Sequence, residues 1–161
     1  MTPPEPSAED LHYLDRALTL GRQGWAGAHP NPMVGCVVVR DGVVVGEGFH
    51  ERFGGPHAEV VALREAGDGA RGATVYVSLE PCNHEGKTPP CTRAPLSAGV
   101  SRVVYGASDP GAVSGGGGRA LKEAGVEVQG PLFSPDRARR ENPAFFFNTE
   151  KGAPYVALKL A

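Results

Sequence analysis

The sequence predicts an α/β domain in which one mixed sheet of about five strands is flanked by helices. Three observations predict it. β-Branched runs recur at Val34 to Arg40, Val43 to Phe49, Thr74 to Leu79, Arg102 to Tyr105 and Val126 to Val128. Beyond the first pair these runs alternate with segments of helical pattern. A chain of 161 residues, 40% hydrophobic and 21% charged, fits one domain with a continuous core.

Residues 1–6 read as a loose tail. Ser7 can cap a helix, with Asp10 closing a capping box. Leu11, Leu14, Ala17, Leu18 and Leu20 then form its apolar stripe, and Gly21 or Gly24 ends it. The prolines of HPNPMVGC exclude regular helix from the next segment. Asp41-Gly42 between the first two strands is a strong hairpin signal. A helix is expected from His57 to Ala66, opening after Gly54-Gly55-Pro56, and another from Cys91 to Ala98, stopping at Gly99. Ser114 to Gly118 is a glycine-rich loop before a short helix through Ala124. Ser134-Pro135-Asp136 opens a further capped helix. The final PYVALKLA is apolar and strand-like, and stops without cap or turn.

The formal net charge of -2 provides no electrostatic footprint for nucleic acid or an anionic membrane. No apolar run approaches the length of a membrane span, and the Pro-rich start has no basic region followed by an apolar one. The expectation is a cytoplasmic protein with neither membrane nor nucleic acid as partner. Three cysteines, an odd number, do not make a disulfide framework. Near a histidine motif in a reducing compartment they point to metal binding or catalysis.

The informative residues are His57-Ala58-Glu59 and the loop EPCNHEGKTPPC, Glu80 to Cys91. Helix starts and strand ends meet at one edge of an α/β sheet, so His57, Cys82 and Cys91 can converge although distant in sequence. One imidazole and two thiolates suit Zn2+, which favours tetrahedral N/S coordination. Three protein ligands leave a position for water, as catalytic zinc sites do. Two thiolates blunt the acidity that zinc imparts, so a carboxylate must accept the proton, and Glu59 is placed for it. Together these residues make the H-x-E signature of zinc deaminases. Singly they are weak: a histidine and glutamate at a helix start are often just solvated, and paired cysteines often just core. A structural zinc site would need a fourth ligand, for which Cys36 and His84 are the candidates.

The segments HPNPMVGCVVV, GEGFHERFGGPHAEVVAL, YVSLEPCNHEGKTPPC and AGVSRVVYGASDP resemble the deaminase domain of bacterial riboflavin biosynthesis. That family, the diaminohydroxyphosphoribosylaminopyrimidine deaminases, lies in the cytidine-deaminase-like superfamily. The long loop NHEGKTPP between the cysteines, in place of a short C-x-x-C, carries the resemblance most specifically. It implies a three-layer cytidine-deaminase-like fold over residues 7–150. It also implies a small phosphoribosylated pyrimidine as substrate, whose 2-amino group is replaced by water with release of ammonia.

Four positions match substrate-contacting residues of that family. Asn31 resembles the residue that hydrogen-bonds the pyrimidine, although Asn-Pro is also a turn former. His50 and Lys87 match positions at the phosphoribosyl end, and Asp109 resembles a ribose-contacting carboxylate. Met33 stands where the family usually has asparagine, and Gly111-Ala112 where it has Asn-Pro. The resemblance further allows a homo-oligomer, and makes residues 151–161 look like a junction to a reductase domain absent from this chain. Gly115 to Gly118 lacks the strand–GxGxxG–helix context of a dinucleotide loop. Two other readings remain open at this point. One is a zinc deaminase of another nucleoside, nucleotide or tRNA base; the other is a zinc-stabilised binding domain without activity.

Overall fold

The structure, a computed structural model, describes residues 5–84 and 90–158. Helix α1 spans Ala8–Gly21, and the Ser7–Asp10 capping box is formed in both directions. Its buried stripe is Tyr13, Leu14, Ala17 and Leu18, whereas Leu11, expected on that face, is exposed. The phenol of Tyr13 takes that place by packing on Tyr76 with ring centroids 5.0 Å apart. Strands β1 (Gly35–Arg40) and β2 (Val43–Phe49) form the expected antiparallel hairpin. Asp41 and Gly42 both have positive φ, 51° and 74°, the pairing that a two-residue turn of this hand requires.

Then follow α2 (Ala58–Ala66), β3 (Thr74–Leu79), α3 (Arg93–Ala98), β4 (Arg102–Ala107), α4 (Gly117–Glu123), β5 (Glu127–Gln129), α5 (Pro135–Glu141) and α6 (Pro143–Lys151). The sheet order is β2-β1-β3-β4-β5, with β1 antiparallel to both neighbours and β3, β4 and β5 parallel. The sheet is therefore mixed and five-stranded, as expected.

Alternation along the strands divides the core into two layers. Cys36, Val38, Val75, Val77, Val103 and Tyr105 pack with Ala58, Ala62 and Leu121 from α2 and α4. Val37, Val39, Tyr76 and Val104 pack with Leu14 and Ala17 of α1, Ala138 of α5 and Phe146 of α6. Helices on both faces make three layers. A buried polar node ties α1 to the sheet: Asp10 accepts from Arg102 at 2.7 Å and from the Tyr76 hydroxyl at 3.1 Å. Burial acts to raise the Asp10 carboxyl, but hydrogen bonds from Arg102 and Ser7 outweigh it and hold the pKa at about 2. At the β2 edge, the Glu47 amide donates to the Glu65 carboxylate of α2, and Arg16 pairs with the Glu47 side chain.

Three expectations need correction, and one helix, α6, lay outside them. Cys91 is not in the first turn of α3. Successive turns, with Arg93 N–H on the Pro90 carbonyl (3.0 Å) and Ala94 N–H on that of Cys91 (3.3 Å), place it just ahead of the helix. Strand β4 runs on to Ala107, where it pairs with Leu79. The helix from Ser134 stops at Glu141, and Pro143, unable to donate within a helix, opens α6 as a separate one. Residues 154–158 form neither strand nor helix. Tyr155, Val156 and Leu158 are exposed.

Candidate active site

The antiparallel setting of β1 brings its start, the end of β2, the ends of β3 and β4 and the start of α2 to one edge of the sheet. There a cleft of about 470 Å³ opens, lined by Asn31, His50, His57, Glu59, Cys82, His84 and Asp109 among others. His57 is the residue at the N-cap of α2, but its side chain bonds no helix amide, so its ring is available to the cleft. Cys82 follows Pro81 at the end of β3, and the Cys91 amide donates to its sulfur at 3.3 Å.

The ligand atoms of His57, Cys82 and Cys91 all lie within 4.8 Å of one another. His57 Nδ1 is 2.6 Å from the Cys91 sulfur and 3.7 Å from that of Cys82. A hydrogen bond from Cys91, with help from His57, pulls the Cys82 thiol down to about 4. The same hydrogen bond and burial raise Cys91, and the bond to Cys82 raises His57. Two sulfurs and an imidazole nitrogen gathered within 4.8 Å of one another mark the place a soft dication would take, so the donor set fits zinc. No fourth ligand joins the group among the described residues. Cys36 points into the core from β1, and His84 lines the cleft outside the cluster.

Glu59 sits two residues into the same helix, 3% exposed, and burial pushes its carboxyl up to about 6. That places it where a side chain both accepts and returns a proton near neutrality.

The positions matched by resemblance are distributed unevenly. Asn31, His50 and Asp109 line the cleft, while Lys87 lies outside the described residues. His50 is buried, and both ring nitrogens are engaged: Nδ1 with the Pro56 carbonyl at 2.9 Å, Nε2 with Asn31 Nδ2 at 3.1 Å. Nδ1 must donate to a carbonyl, so Nε2 is the acceptor and Asn31 presents its NH2 to it. Burial lowers the His50 pKa, in keeping with a neutral ring. Asp109 Oδ1 accepts from the Gly111 amide at 2.8 Å, so its turn-forming and cleft-lining properties coexist.

Four residues here escaped sequence reasoning. The Glu80 carboxylate accepts the amides of Asp109 (3.2 Å) and Gly118 (3.0 Å), tying the Asp109 loop and the start of α4 to the end of β3. Its position directly before Pro81-Cys82 was the available signal. The glycine run, set aside as a loop, has a steric purpose: a Cβ on Gly117 would lie 1.8 Å from the Pro81 carbonyl oxygen. Asn142 and Phe145, on the α5–α6 segment, also reach this region, and no local motif marks them.

Residues 7–107 match the family model described as the cytidine and deoxycytidylate deaminase zinc-binding region. The chain is 50% identical over 153 residues to the riboflavin biosynthesis protein RibD of Escherichia coli, covering 94% of this chain and 41% of that one. It thus spans well under half the length of the curated relatives it matches. Among solved structures it resembles Acinetobacter baumannii RibD (TM-score 0.85, 46% identity, 91% of this chain and 41% of that chain). It likewise resembles a diaminohydroxyphosphoribosylaminopyrimidine deaminase/5-amino-6-(5-phosphoribosylamino)uracil reductase of Thermotoga maritima (TM-score 0.84, 40% identity, 91% and 42%). A histidine and two cysteines gathered at the sheet edge beside a buried glutamate agree with these matches: the chain belongs to the cytidine and deoxycytidylate deaminase zinc-binding family.

Proposed function

We propose that this chain hydrolytically deaminates 2,5-diamino-6-(5-phosphoribosylamino)pyrimidin-4(3H)-one in riboflavin biosynthesis. Water oxygen bonds to the ring carbon bearing the 2-amino group, the carbon–nitrogen bond breaks, and ammonia and the 5-amino-uracil product leave. The observation that carries this reading is the convergence of His57, Cys82 and Cys91 within 4.8 Å at a cleft that Glu59 also lines. His57, Cys82 and Cys91 would hold zinc, which when bound supplies the Lewis acidity that makes water a nucleophile at neutral pH.

The rest is the work of the chain. Glu59 removes a proton from the attacking water and passes it to the ring nitrogen, then takes the proton of the newly bonded hydroxyl as C=O forms and gives it to the departing amine. The Asn31 amide, its nitrogen held by His50, turns its oxygen to a ring N–H donor and orients the pyrimidine. Asp109 meets the ribose, and Lys87, within the loop between the two cysteines, meets the phosphate. Reactive thiols of this kind suit a reducing, cytoplasmic setting. The name of the Thermotoga relative supports the choice of substrate.

The test is ammonia release by purified protein of measured zinc content, with the diaminopyrimidine phosphoriboside, its dephosphorylated form and deoxycytidine monophosphate as substrates. Turnover of the first, with a raised KM for the second, is expected. Preference for deoxycytidine monophosphate would overturn the assignment.

A further inference from the structure

We propose that Asn142 is a positioning residue for the pyrimidine-binding wall, acting from outside the segment that the family model matches. The wall is the loop Asn31 to Val34, of which Asn31, Pro32 and Val34 line the cleft. Met33, between them, is gripped through its backbone on both sides. Its N–H donates to Asn142 Oδ1 at 2.7 Å, and its carbonyl accepts from Asn142 Nδ2 at 3.0 Å. The partners are 109 residues apart in sequence, and Asn142 is 8% exposed.

The setting of Asn142 argues that its amide is reserved for this loop. It stands at the N-cap of α6 with proline following, where asparagine ordinarily bonds the helix's first amides. Here the side chain makes no cap bond. Its backbone is already committed to the two helices, with N–H on the Ala138 carbonyl (3.2 Å) and C=O taking the Phe146 amide (3.0 Å). The side chain is thus aimed by both helices at once. They in turn are anchored: Phe146 is buried in the core layer, and Arg22 holds Glu141 at 2.9 Å. Phe145, next to Phe146, lines the same cleft. Since both bonds go to the backbone of residue 33, the side chain there is not what the clamp reads. This accounts for Met33 in a position where the resemblance leads one to expect asparagine.

The inference rests on the deaminase reading for its kinetic test, and amide exchange at Met33 tests it independently. Zinc-loaded Asn142→Ala and Asn142→Asp are compared with the parent and with Arg139→Gln. The last loosens the α5–α6 pair by removing the Arg139–Glu150 ion pair and leaves Met33 untouched. The Ala variant loses both bonds. The Asp variant keeps an acceptor for the Met33 N–H but sets an anionic oxygen against its carbonyl.

Both Asn142 variants should raise KM by about tenfold, with kcat within about threefold of the parent, since they remove binding contributed by a positioned wall. Zinc content should be unchanged, and Met33, protected in the parent, should exchange faster in the Ala variant by about tenfold. Arg139→Gln should alter neither KM nor Met33 exchange. An unprotected Met33 amide in the parent would overturn the clamp. So would an unchanged KM in both Asn142 variants, or an equal rise in KM for Arg139→Gln. A parent inactive on every pyrimidine offered defeats the deaminase reading instead, and Met33 exchange still decides the clamp.

Discussion

The cleft has two walls, and they are held in different ways. The metal-side wall stands on the ends of regular elements: His57 and Glu59 at the start of α2, Cys82 just past the end of β3, Cys91 just ahead of α3. Main-chain ladders of a five-stranded sheet position it, reinforced by the Glu80 carboxylate. The recognition wall, Asn31 to Val34 with His50, is irregular backbone before β1 and after β2. It is held by one backbone bond between its parts, the His50 N–H on the Val34 carbonyl at 3.0 Å, and by side-chain amides and a ring: Asn31 to His50, and Asn142 to Met33. The contrast teaches that, on the proposed function, reaction class and substrate choice rest on separable supports in this fold. One is stiffened by sheet ladders, the other stitched together by side-chain bonds that reach across as many as 109 residues.

That separation can be broken experimentally. The largest effect is expected on the stiff wall. Glu59→Gln should keep fold and zinc while lowering kcat by about 10²–10⁴-fold, the usual contribution of a positioned proton carrier. Single-turnover assays with zinc analysis check it, and undiminished turnover would remove Glu59 from the mechanism.

Next is Gly117→Ala. The new methyl would lie 1.8 Å from the Pro81 carbonyl and 3.3 Å from the Thr92 methyl, so the backbone beside Cys82 must shift. A loss of about 1–3 kcal/mol is expected. Zinc affinity, measured by chelator competition, should weaken with it. Unaltered zinc affinity would show that the metal wall yields more easily than its packing implies.

The smallest expected effect belongs to neither wall. Asp10, held at about 2 by Arg102 and Ser7 against its burial, is a group whose folded pKa is depressed. Its contribution, on the order of 2 kcal/mol, is complete above the unfolded value near 4 and vanishes as pH falls through about 2. Urea unfolding of Asp10→Asn and parent should therefore differ at pH 7 and converge toward pH 2.5, with KM and kcat equal at neutral pH. A change in KM would show that the α1 node reaches the recognition wall.

The same division decides what was legible in the sequence. Elements whose signals are local were readable: the Ser7–Asp10 box, the Asp41-Gly42 turn, the β-branched strands, and the H-x-E and Cys82/Cys91 pair at element ends. The recognition wall was readable only by resemblance. No periodicity announces that Asn142 will bond Met33 across 109 residues, and at an N-cap before proline it reads as a simple helix start. The resemblance put His50 at the phosphoribosyl end of the substrate; that its nitrogens also meet Pro56 and Asn31 is visible only once those residues are seen beside it. Gly117 looked like slack because the Pro81 carbonyl it makes room for belongs to a distant part of the chain.

The glutamate that reaches from α2 to the outer side of β2 has a bearing on solubility. An open sheet ends in a row of unmet donors and acceptors onto which a foreign strand can zip. Glu65 occupies one of those donors, the Glu47 amide, and Arg16 clasps the adjoining acid. An incoming strand would have to displace that anion to continue the ladder here, so this rim resists growth into a larger, intermolecular sheet.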